Sequence, residues 1–205
     1  MNPIKYVGGQ FKNPRGLGGV LSTFIMNIMN QRQYKGVICA LNLSDGDTVL
    51  DVGFGNGYVI QKLAKAVRCR FYGVDMSADM LGMANKRNEK FIDGGSMSLM
   101  TGDVARMSFG DCFFDKIYTV NTIYFWKNID AGLSEIRRVL KNGGTFFNAV
   151  YTVKFLESFP FTKYEFAKYT LDDLKSAAAQ NGFEIAQIIT LKKDISYCFA
   201  LRKKG

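Results

Sequence analysis

The sequence predicts an α/β fold in which a mostly parallel sheet lies between two layers of helices. Segments with the pattern of strands alternate with segments of helical spacing between residues 48 and 150. The length of 205 residues suits one domain, and the hydrophobic share of 47% is typical of a globular protein. Alternating strands and helices imply right-handed crossovers, which make the neighbouring strands parallel.

The first half of this segment contains two strand–helix units. Residues 48–53 form a β-branched apolar run that ends in glycine, and residues 59–67 have apolar side chains at helical spacing. Residues 70–75 are the second predicted strand. The next helix is predicted over 77–88, with Ser77 as its N-cap.

The second half continues the alternation. Strands are predicted at 96–101 and 115–120, and a helix is predicted at 129–140. The Asn-Gly-Gly sequence at 142–144 predicts a left-handed end for that helix, before a fifth strand at 145–151.

The C-terminal region predicts a hairpin. A helix over 171–181 is followed by strands at 183–190 and 195–202, which makes seven strands. The short connection between the last two strands makes the last strand antiparallel to its neighbours. The single domain divides into a helical cover (1–42), a cofactor-binding core (43–150), an aromatic cover segment (151–170) and the C-terminal helix and hairpin (171–205).

The composition excludes several chemistries. The chain has no histidine, which excludes Ser-His and Cys-His nucleophilic pairs and histidine-ligated metals. Its four cysteines are widely spaced, so we expect buried free thiols and neither a metal site nor a redox dithiol. Apolar runs are too short to span a bilayer and no secretory signal pattern is visible, so a cytoplasmic protein is expected.

The net charge of +9 comes from an excess of basic residues in the two flanks of the chain. Binding to nucleic acid would require these charges to form a concentrated patch, and the sequence shows none. The charge therefore favours a solvated basic surface.

The strongest functional signal is the sequence DVGFGNG at residues 51–57, between the first strand and the first core helix. Glycines allow the backbone to turn tightly and to approach a ligand closely, beside the N–H groups of the helix. A dinucleotide fingerprint would place its third glycine at position 58, where Tyr58 stands, and no P-loop motif is present. The loop is therefore shaped for a nucleoside ligand but differs from the usual NAD loop.

Two aspartates follow the next strands. Asp75 ends the second strand, 24 residues after Asp51, and a carboxylate there can accept hydrogen bonds from a ribose diol. Asp103 follows the third strand, in position to accept a hydrogen bond from an exocyclic amino group.

Together these segments resemble the class I S-adenosylmethionine-dependent methyltransferases, of the small-molecule type that includes the quinone-biosynthesis C-methyltransferases. Residues 49–57 are similar to the first motif of that family, 73–81 to its ribose-binding strand and helix, and 102–105 to its adenine motif. Residues 114–118 and 139–144 resemble the fourth strand and the turn before the fifth, although the family usually has proline where Asn142 stands.

The resemblance implies a Rossmann-like, three-layer, seven-stranded sheet and S-adenosylmethionine as the cofactor. The residues implied to bind it are Asp51, Gly53, Gly55, Gly57, Asp75, Met76, Met80, Asp103, Val104 and Asn121. By this resemblance the three glycines line the methionine moiety and Asp75 holds the ribose hydroxyls.

The remaining positions are assigned in the same way. Asp103 and Val104 would contact the adenine, with Met76 and Met80 on the two sides of its ring. Asn121 would lie near the amino and carboxylate groups of the methionine moiety.

The segment after the fourth strand faces the methyl group in that family, so Tyr124 and Trp126 are predicted to contact the substrate. Without imidazole, a general base must be Asp, Glu, Tyr, Lys or water, and the sequence selects none of them. Methionines and aromatic rings in the two covers suit a small apolar or aromatic substrate. Residues 10–16 are predicted to act as a lid.

Two alternatives stay open. The basic charge would suit an RNA or protein methyltransferase, but Asn121 is not followed by the two prolines that amino-methylating members often have. A nucleoside-binding domain without catalysis would retain the same loop and the same aspartates.

Overall fold

In the computed structural model, the described residues are 8–10 and 28–204, and they contain one seven-stranded sheet. The strands are β1 (Thr48–Val52), β2 (Arg70–Asp75), β3 (Met97–Thr101), β4 (Phe114–Val120), β5 (Leu140–Tyr151), β6 (Phe183–Lys192) and β7 (Ser196–Lys203). The helices are α1 (Gln31–Leu41), α2 (Tyr58–Ala66), α3 (Ala78–Asp93), α4 (Ile129–Val139), α5 (Val153–Glu157) and α6 (Leu171–Gln180), with 3-10 turns at Ile123–Phe125 and Pro160–Lys163.

The strand order is β3-β2-β1-β4-β5-β7-β6. Strands β1 to β5 pair in parallel, and β7 runs antiparallel to both β5 and β6. The predicted seven-stranded, mostly parallel sheet with an antiparallel last strand is thus confirmed. The order reverses between β1 and β4, and ligands of open α/β sheets bind where it does so, at the carboxyl ends of the strands.

The two faces of the sheet bury separate apolar cores, because successive strand residues point to opposite faces. Val49 of β1 packs with α1 and α2, whereas its neighbour Leu50 packs in the core that includes α4 and α6. Asp51 therefore shares a face with Val49, below α1 and α2.

The end of α4 differs from the prediction. The helix stops at Val139, and Leu140 is already extended and pairs with Phe114 of β4. Residues 142–144 shift the register, so that Lys116 pairs with Thr145, and Gly143 has φ of 74°. The glycine pattern correctly predicts left-handed backbone. It lies in an irregularity of β5 and not at the end of α4, because pairing with β4 begins before the glycines.

Helix α3 begins as predicted and ends later. The Ser77 hydroxyl accepts a hydrogen bond of 3.3 Å from the N–H of Met80, as an N-cap should. The predicted end at Asn88 is wrong, because the Asn88 side chain is buried and donates to the carbonyls of Ala84 (2.8 Å) and Gly57 (3.3 Å). The helix continues to Asp93.

Two of the four cysteines differ from the expectation of burial. Cys69 and Cys198 are buried free thiols, whereas Cys39 and Cys112 are exposed. Cys39 lies on a solvent-facing position of α1, and Cys112 lies in the loop before β4.

Part of the predicted cover and lid falls outside the described residues. This applies to 1–7 and to 11–27, and thus to Phe11, Pro14 and Gly16, whereas Gln10 lies in the helical segment 8–10. Among the helices of the described residues, none is long and apolar enough to cross a membrane.

Candidate functional site

The glycine-rich loop joins β1 to α2 at the carboxyl edge of the sheet. Gly53, Gly55 and Gly57 have φ values of 76°, 55° and 72°, a region that other residues enter at a cost of about 1–2 kcal/mol. A Cβ on Gly53 would overlap the side chain of Thr122, so the loop and the segment after β4 approach closely.

Asp75, the last residue of β2, holds this loop in place. One carboxylate oxygen accepts a hydrogen bond of 2.8 Å from the N–H of Gly55, and the other accepts one of 2.9 Å from the N–H of Ser77. Burial raises the pKa of Asp75, and these hydrogen bonds oppose the increase. Asp75, which is predicted to bind the ribose, therefore also holds the glycine-rich loop in place.

A cavity opens where the ends of β1, β2 and β4 meet. It is lined by nine of the predicted site residues: Asp51, Gly53, Gly55, Asp75, Met76, Met80, Val104, Asn121 and Trp126. Sequence reasoning missed other lining residues, among them Asn30, Tyr34, Tyr58, Thr122 and Phe125.

Two predicted cofactor residues lie outside the lining. A Cβ on Gly57 would come within 2.9 Å of the Ala84 side chain and would overlap Asn88. Packing against α3 therefore explains this glycine. The carboxylate of Asp103 accepts a hydrogen bond of 3.0 Å from the N–H of Ala105, within its own turn.

Asp51 forms part of the cavity floor. Its side chain is buried, and one carboxylate oxygen accepts a hydrogen bond of 2.6 Å from the Tyr118 hydroxyl. Burial raises the pKa of Asp51 to about 8; the Tyr118 hydrogen bond lowers it, and the nearby Asp75 raises it further. Among the described residues that line this cavity there is no Lys or Arg. Two carboxylates without a cation suit a positively charged ligand.

A polar cluster connects α1 to the ends of β4 and β5. The Asn121 amide donates to the side-chain oxygens of Asn30 (3.0 Å) and Gln33, and the Gln33 amide donates back over 3.2 Å. The Tyr151 hydroxyl donates to the same Asn30 oxygen over 2.9 Å. Asn30, Gln33 and Tyr34 have the spacing of one helix face, which is a signal that the sequence contains.

A second cavity adjoins the first, and Asn30, Asn121 and Phe125 line both. Its walls are mainly aromatic rings from the 3-10 turn after β4, from the end of β5 and from the aromatic cover segment: Tyr124, Phe125, Tyr151, Phe155, Phe159 and Phe166. The described residues of this lining include no charged side chain.

The two residues that were predicted to contact the substrate line different cavities. Tyr124 lines the second cavity, and its hydroxyl accepts from the N–H of Tyr151 and lies 3.3 Å from the carbonyl of the same residue. Burial raises the pKa of Tyr124, so its phenol is protonated at neutral pH. Trp126 lines the first cavity and donates from Nε1 to the Thr122 hydroxyl over 3.2 Å.

Residues 49–144 match a family model described as a methyltransferase domain. The matched region contains the glycine loop, Asp75 and the first five strands as far as the bulge of β5. Over these residues the chain is similar to the methyltransferase domains that this model describes, in agreement with the fold and with the cavity.

The chain is 29% identical over 189 residues to an uncharacterized methyltransferase, YdaC, of Bacillus subtilis, covering 90% of this chain and 98% of the relative. It is 28% identical to a sterol 24-C-methyltransferase of Eremothecium gossypii, covering 80% of this chain but only 46% of that longer protein. In fold it resembles a geranyl diphosphate C-methyltransferase from Streptomyces coelicolor, with a TM-score of 0.72, 15% identity, and coverage of 85% and 77% of the two chains.

Proposed function

We propose that this protein transfers the methyl group of S-adenosylmethionine to a small, apolar or aromatic metabolite by in-line displacement. The observation that carries the proposal is the junction of two cavities at Asn30, Asn121 and Phe125. One is acidic and bordered by a glycine loop, and the other is walled by aromatic rings.

The first cavity fits the cofactor. When bound, S-adenosylmethionine supplies an electrophilic methyl group on a positively charged sulfur, and this cavity holds two carboxylates without a cation among its described lining residues. Asp75 retains acceptor capacity beyond its two backbone hydrogen bonds and is assigned to the ribose hydroxyls. Met80, which is buried, and Met76, which is 49% exposed, are assigned to the adenine ring.

The second cavity is assigned to the methyl acceptor. Tilted and edge-on rings, such as Phe125 and Phe166 with centroids 4.7 Å apart, offer an apolar surface to a ring or an isoprenoid chain. The names of two similar proteins, a sterol methyltransferase and a geranyl diphosphate methyltransferase, are consistent with such an acceptor. A quinone precursor, which the narrower family resemblance suggests as the acceptor, would also be an apolar aromatic molecule.

The residues of this chain are then required mainly to position the reactants and to exclude water. Placing the acceptor atom in line with the methyl and sulfur atoms removes much of the entropic barrier, and no covalent intermediate is needed. Asn121 lies at the junction with φ of 59°, a conformation held by its hydrogen bonds to Asn30 and Gln33. We therefore assign Asn121 to the boundary between the two sites, near the amino and carboxylate groups of the methionine moiety.

The test is calorimetric titration of the full chain with S-adenosylmethionine and, separately, with NAD. Micromolar binding of the first alone supports the proposal, and radiolabelled methyl transfer is then screened against aromatic and isoprenoid metabolites. Binding of NAD alone, or of neither, contradicts it. Gly55→Val should abolish this binding, because its side chain would enter the cavity and because a φ of 55° is unfavourable for a β-branched residue.

A further inference from the structure

We infer that Asp51 distinguishes the charged methyl donor from its uncharged product, by releasing its proton when the donor binds. The inference rests on the proposed function, because it assumes that S-adenosylmethionine occupies the first cavity. The donor, S-adenosylmethionine, has one methyl group and one positive charge that the product, S-adenosylhomocysteine, lacks. A buried carboxyl that lines their common cavity is sensitive to that difference.

The position of Asp51 limits the hydration of its carboxyl group. The residue is 3% exposed and lies between two strands in the centre of the sheet. Within the described chain, its carboxylate has one hydrogen-bond partner, the Tyr118 hydroxyl at 2.6 Å. One neutral hydrogen bond stabilises a buried carboxylate far less than hydration does.

The titratable groups that face Asp51 are all acids or phenols. Tyr118 faces it from β4, Tyr34 from α1, Tyr58 lines the same cavity from α2, and Asp75 does so from β2. None of these groups supplies a positive charge.

Two described cations close to Tyr58 lie outside the cavity lining. Lys62 and Arg87 pack on the ring of Tyr58, with the Lys62 nitrogen 5.3 Å and the Arg87 guanidinium carbon 5.8 Å from its centroid. Arg87 also donates to the carbonyl of Asn56 over 2.9 Å. Among the described residues, none places a positive charge in the cavity lining, so a cationic ligand would provide the charge that stabilises ionised Asp51.

The consequence is a change of protonation in each catalytic cycle. Burial raises the pKa of Asp51 to about 8, so in the free protein at pH 7 the carboxyl holds its proton. A cationic ligand in the same cavity favours the carboxylate, and the O–H bond then breaks with release of the proton to solvent. After methyl transfer the cavity has lost one positive charge, and Asp51 takes a proton back from solvent.

This coupling predicts different pH profiles for the two ligands. Donor affinity rises with pH by up to about tenfold per unit below about pH 8 and is level above it, because deprotonation no longer opposes binding. Product affinity changes less over the same range. The preference for donor over product therefore increases as the pH rises from 6 to 8.

The experiment is calorimetric titration of the full chain at pH 7 with S-adenosylmethionine and with S-adenosylhomocysteine, each in phosphate and in Tris. The two buffers differ in ionisation enthalpy, so the difference in apparent binding enthalpy reports the protons released. The amino and carboxylate groups common to both ligands cancel in the comparison. A group with a pKa of about 8 is about nine-tenths protonated at pH 7, so the donor should release up to about 0.9 proton more than the product.

The variant Asp51→Asn should abolish that difference. Asp172→Asn is the matched control, since it makes the same carboxyl-to-amide change in a side chain that is 87% exposed on α6, and it should leave the difference unchanged. Equal proton release by the two ligands in the unmodified protein would overturn the inference, as would a full difference retained in Asp51→Asn. Absence of binding by either ligand would instead overturn the proposed function.

Tyr118→Phe provides a second test if Asp51→Asn fails to fold. It removes the hydrogen bond that lowers the pKa of Asp51, while the carboxyl itself stays in place. The pH at which donor affinity becomes level should move upward. An unchanged profile would contradict the assignment of this coupling to Asp51.

Discussion

The carboxylate of Asp75 accepts a hydrogen bond of 2.8 Å from the backbone N–H of Gly55, across the gap between the ends of β2 and β1. The two strongest signals in the sequence thus contact each other directly. A ligand whose ribose binds Asp75 would also sense the conformation of the glycine loop. Binding and loop geometry are therefore coupled through one side chain.

Asp75→Ala should weaken the binding of S-adenosylmethionine by about 10- to 100-fold, because hydrogen bonds to a charged group contribute roughly 1.5–3 kcal/mol. It should also lower the melting temperature by a few degrees, since the N–H groups of Gly55 and Ser77 lose their acceptor. Calorimetry and thermal melting measure the two effects. Unchanged affinity would refute the ribose assignment.

Asp103→Ala separates two readings of the turn after β3. If the carboxylate only accepts from the N–H of Ala105, cofactor affinity should change by less than about threefold. If Asp103 contacts the adenine amino group, as the family resemblance implies, the loss should reach about tenfold or more. The same titration distinguishes the two, and Asp75→Ala serves as its reference.

Gly57→Ala should destabilise the fold more than Gly55→Ala. Both positions have positive φ, which costs an alanine about 1–2 kcal/mol. Only at Gly57 does the added Cβ meet α3, within 2.9 Å of the Ala84 Cβ, and such overpacking costs roughly a further 1–3 kcal/mol. Thermal melting should therefore show the larger decrease for Gly57→Ala, and equal decreases would refute the packing explanation.

The parallel core was predictable because β1, β2 and β4 are apolar runs that end at a glycine, an aspartate or an asparagine. The end of α4 was not, since an Asn-Gly-Gly sequence specifies left-handed backbone without specifying whether a helix or a strand contains it. Asn88 misled for a related reason. An asparagine favours a helix end, but tertiary packing places this one in the interior, bonded to Gly57.

The lining of the first cavity was largely predictable, because many of its residues come from the ends of β1, β2 and β4. Asn30 was missed because its contact is to Asn121, 91 positions away, and Tyr34 because it contacts Tyr58 on a different helix. Their polar spacing on a helix face is visible in the sequence, but only the fold shows that this face covers the cavity. Tyr124 was placed near the substrate, and its hydroxyl is bonded to the backbone of Tyr151.

Phe166→Ala should raise the KM for an apolar acceptor and leave the affinity for S-adenosylmethionine within about twofold, because Phe166 lines only the second cavity. Phe113→Ala is the matched control. Phe113 is 38% exposed and packs with Tyr72 and Phe109, away from both cavities, so neither constant should change. A loss of cofactor affinity in Phe166→Ala with an unchanged KM would place the acceptor elsewhere.

Asp51 should make the stability of the ligand-free protein depend on pH. Its pKa is raised from 3.8 to about 8 by burial, so between these values the folded state binds the proton more tightly than the unfolded state does. The free energy of unfolding should therefore decrease as the pH rises from about 4 to 8, by roughly a few kcal/mol at most.

Asp51→Asn tests this dependence, because asparagine can still accept the Tyr118 hydrogen bond but does not ionise. Urea unfolding at pH 5 and at pH 8 should show the variant gaining stability relative to the unmodified protein at the higher pH. Asp172→Asn should show no such change between the two pH values. If Asp51→Asn and the unmodified protein lost stability in parallel, the carboxyl of Asp51 would already be ionised in the folded state, and a group other than Asp51 would cause the loss.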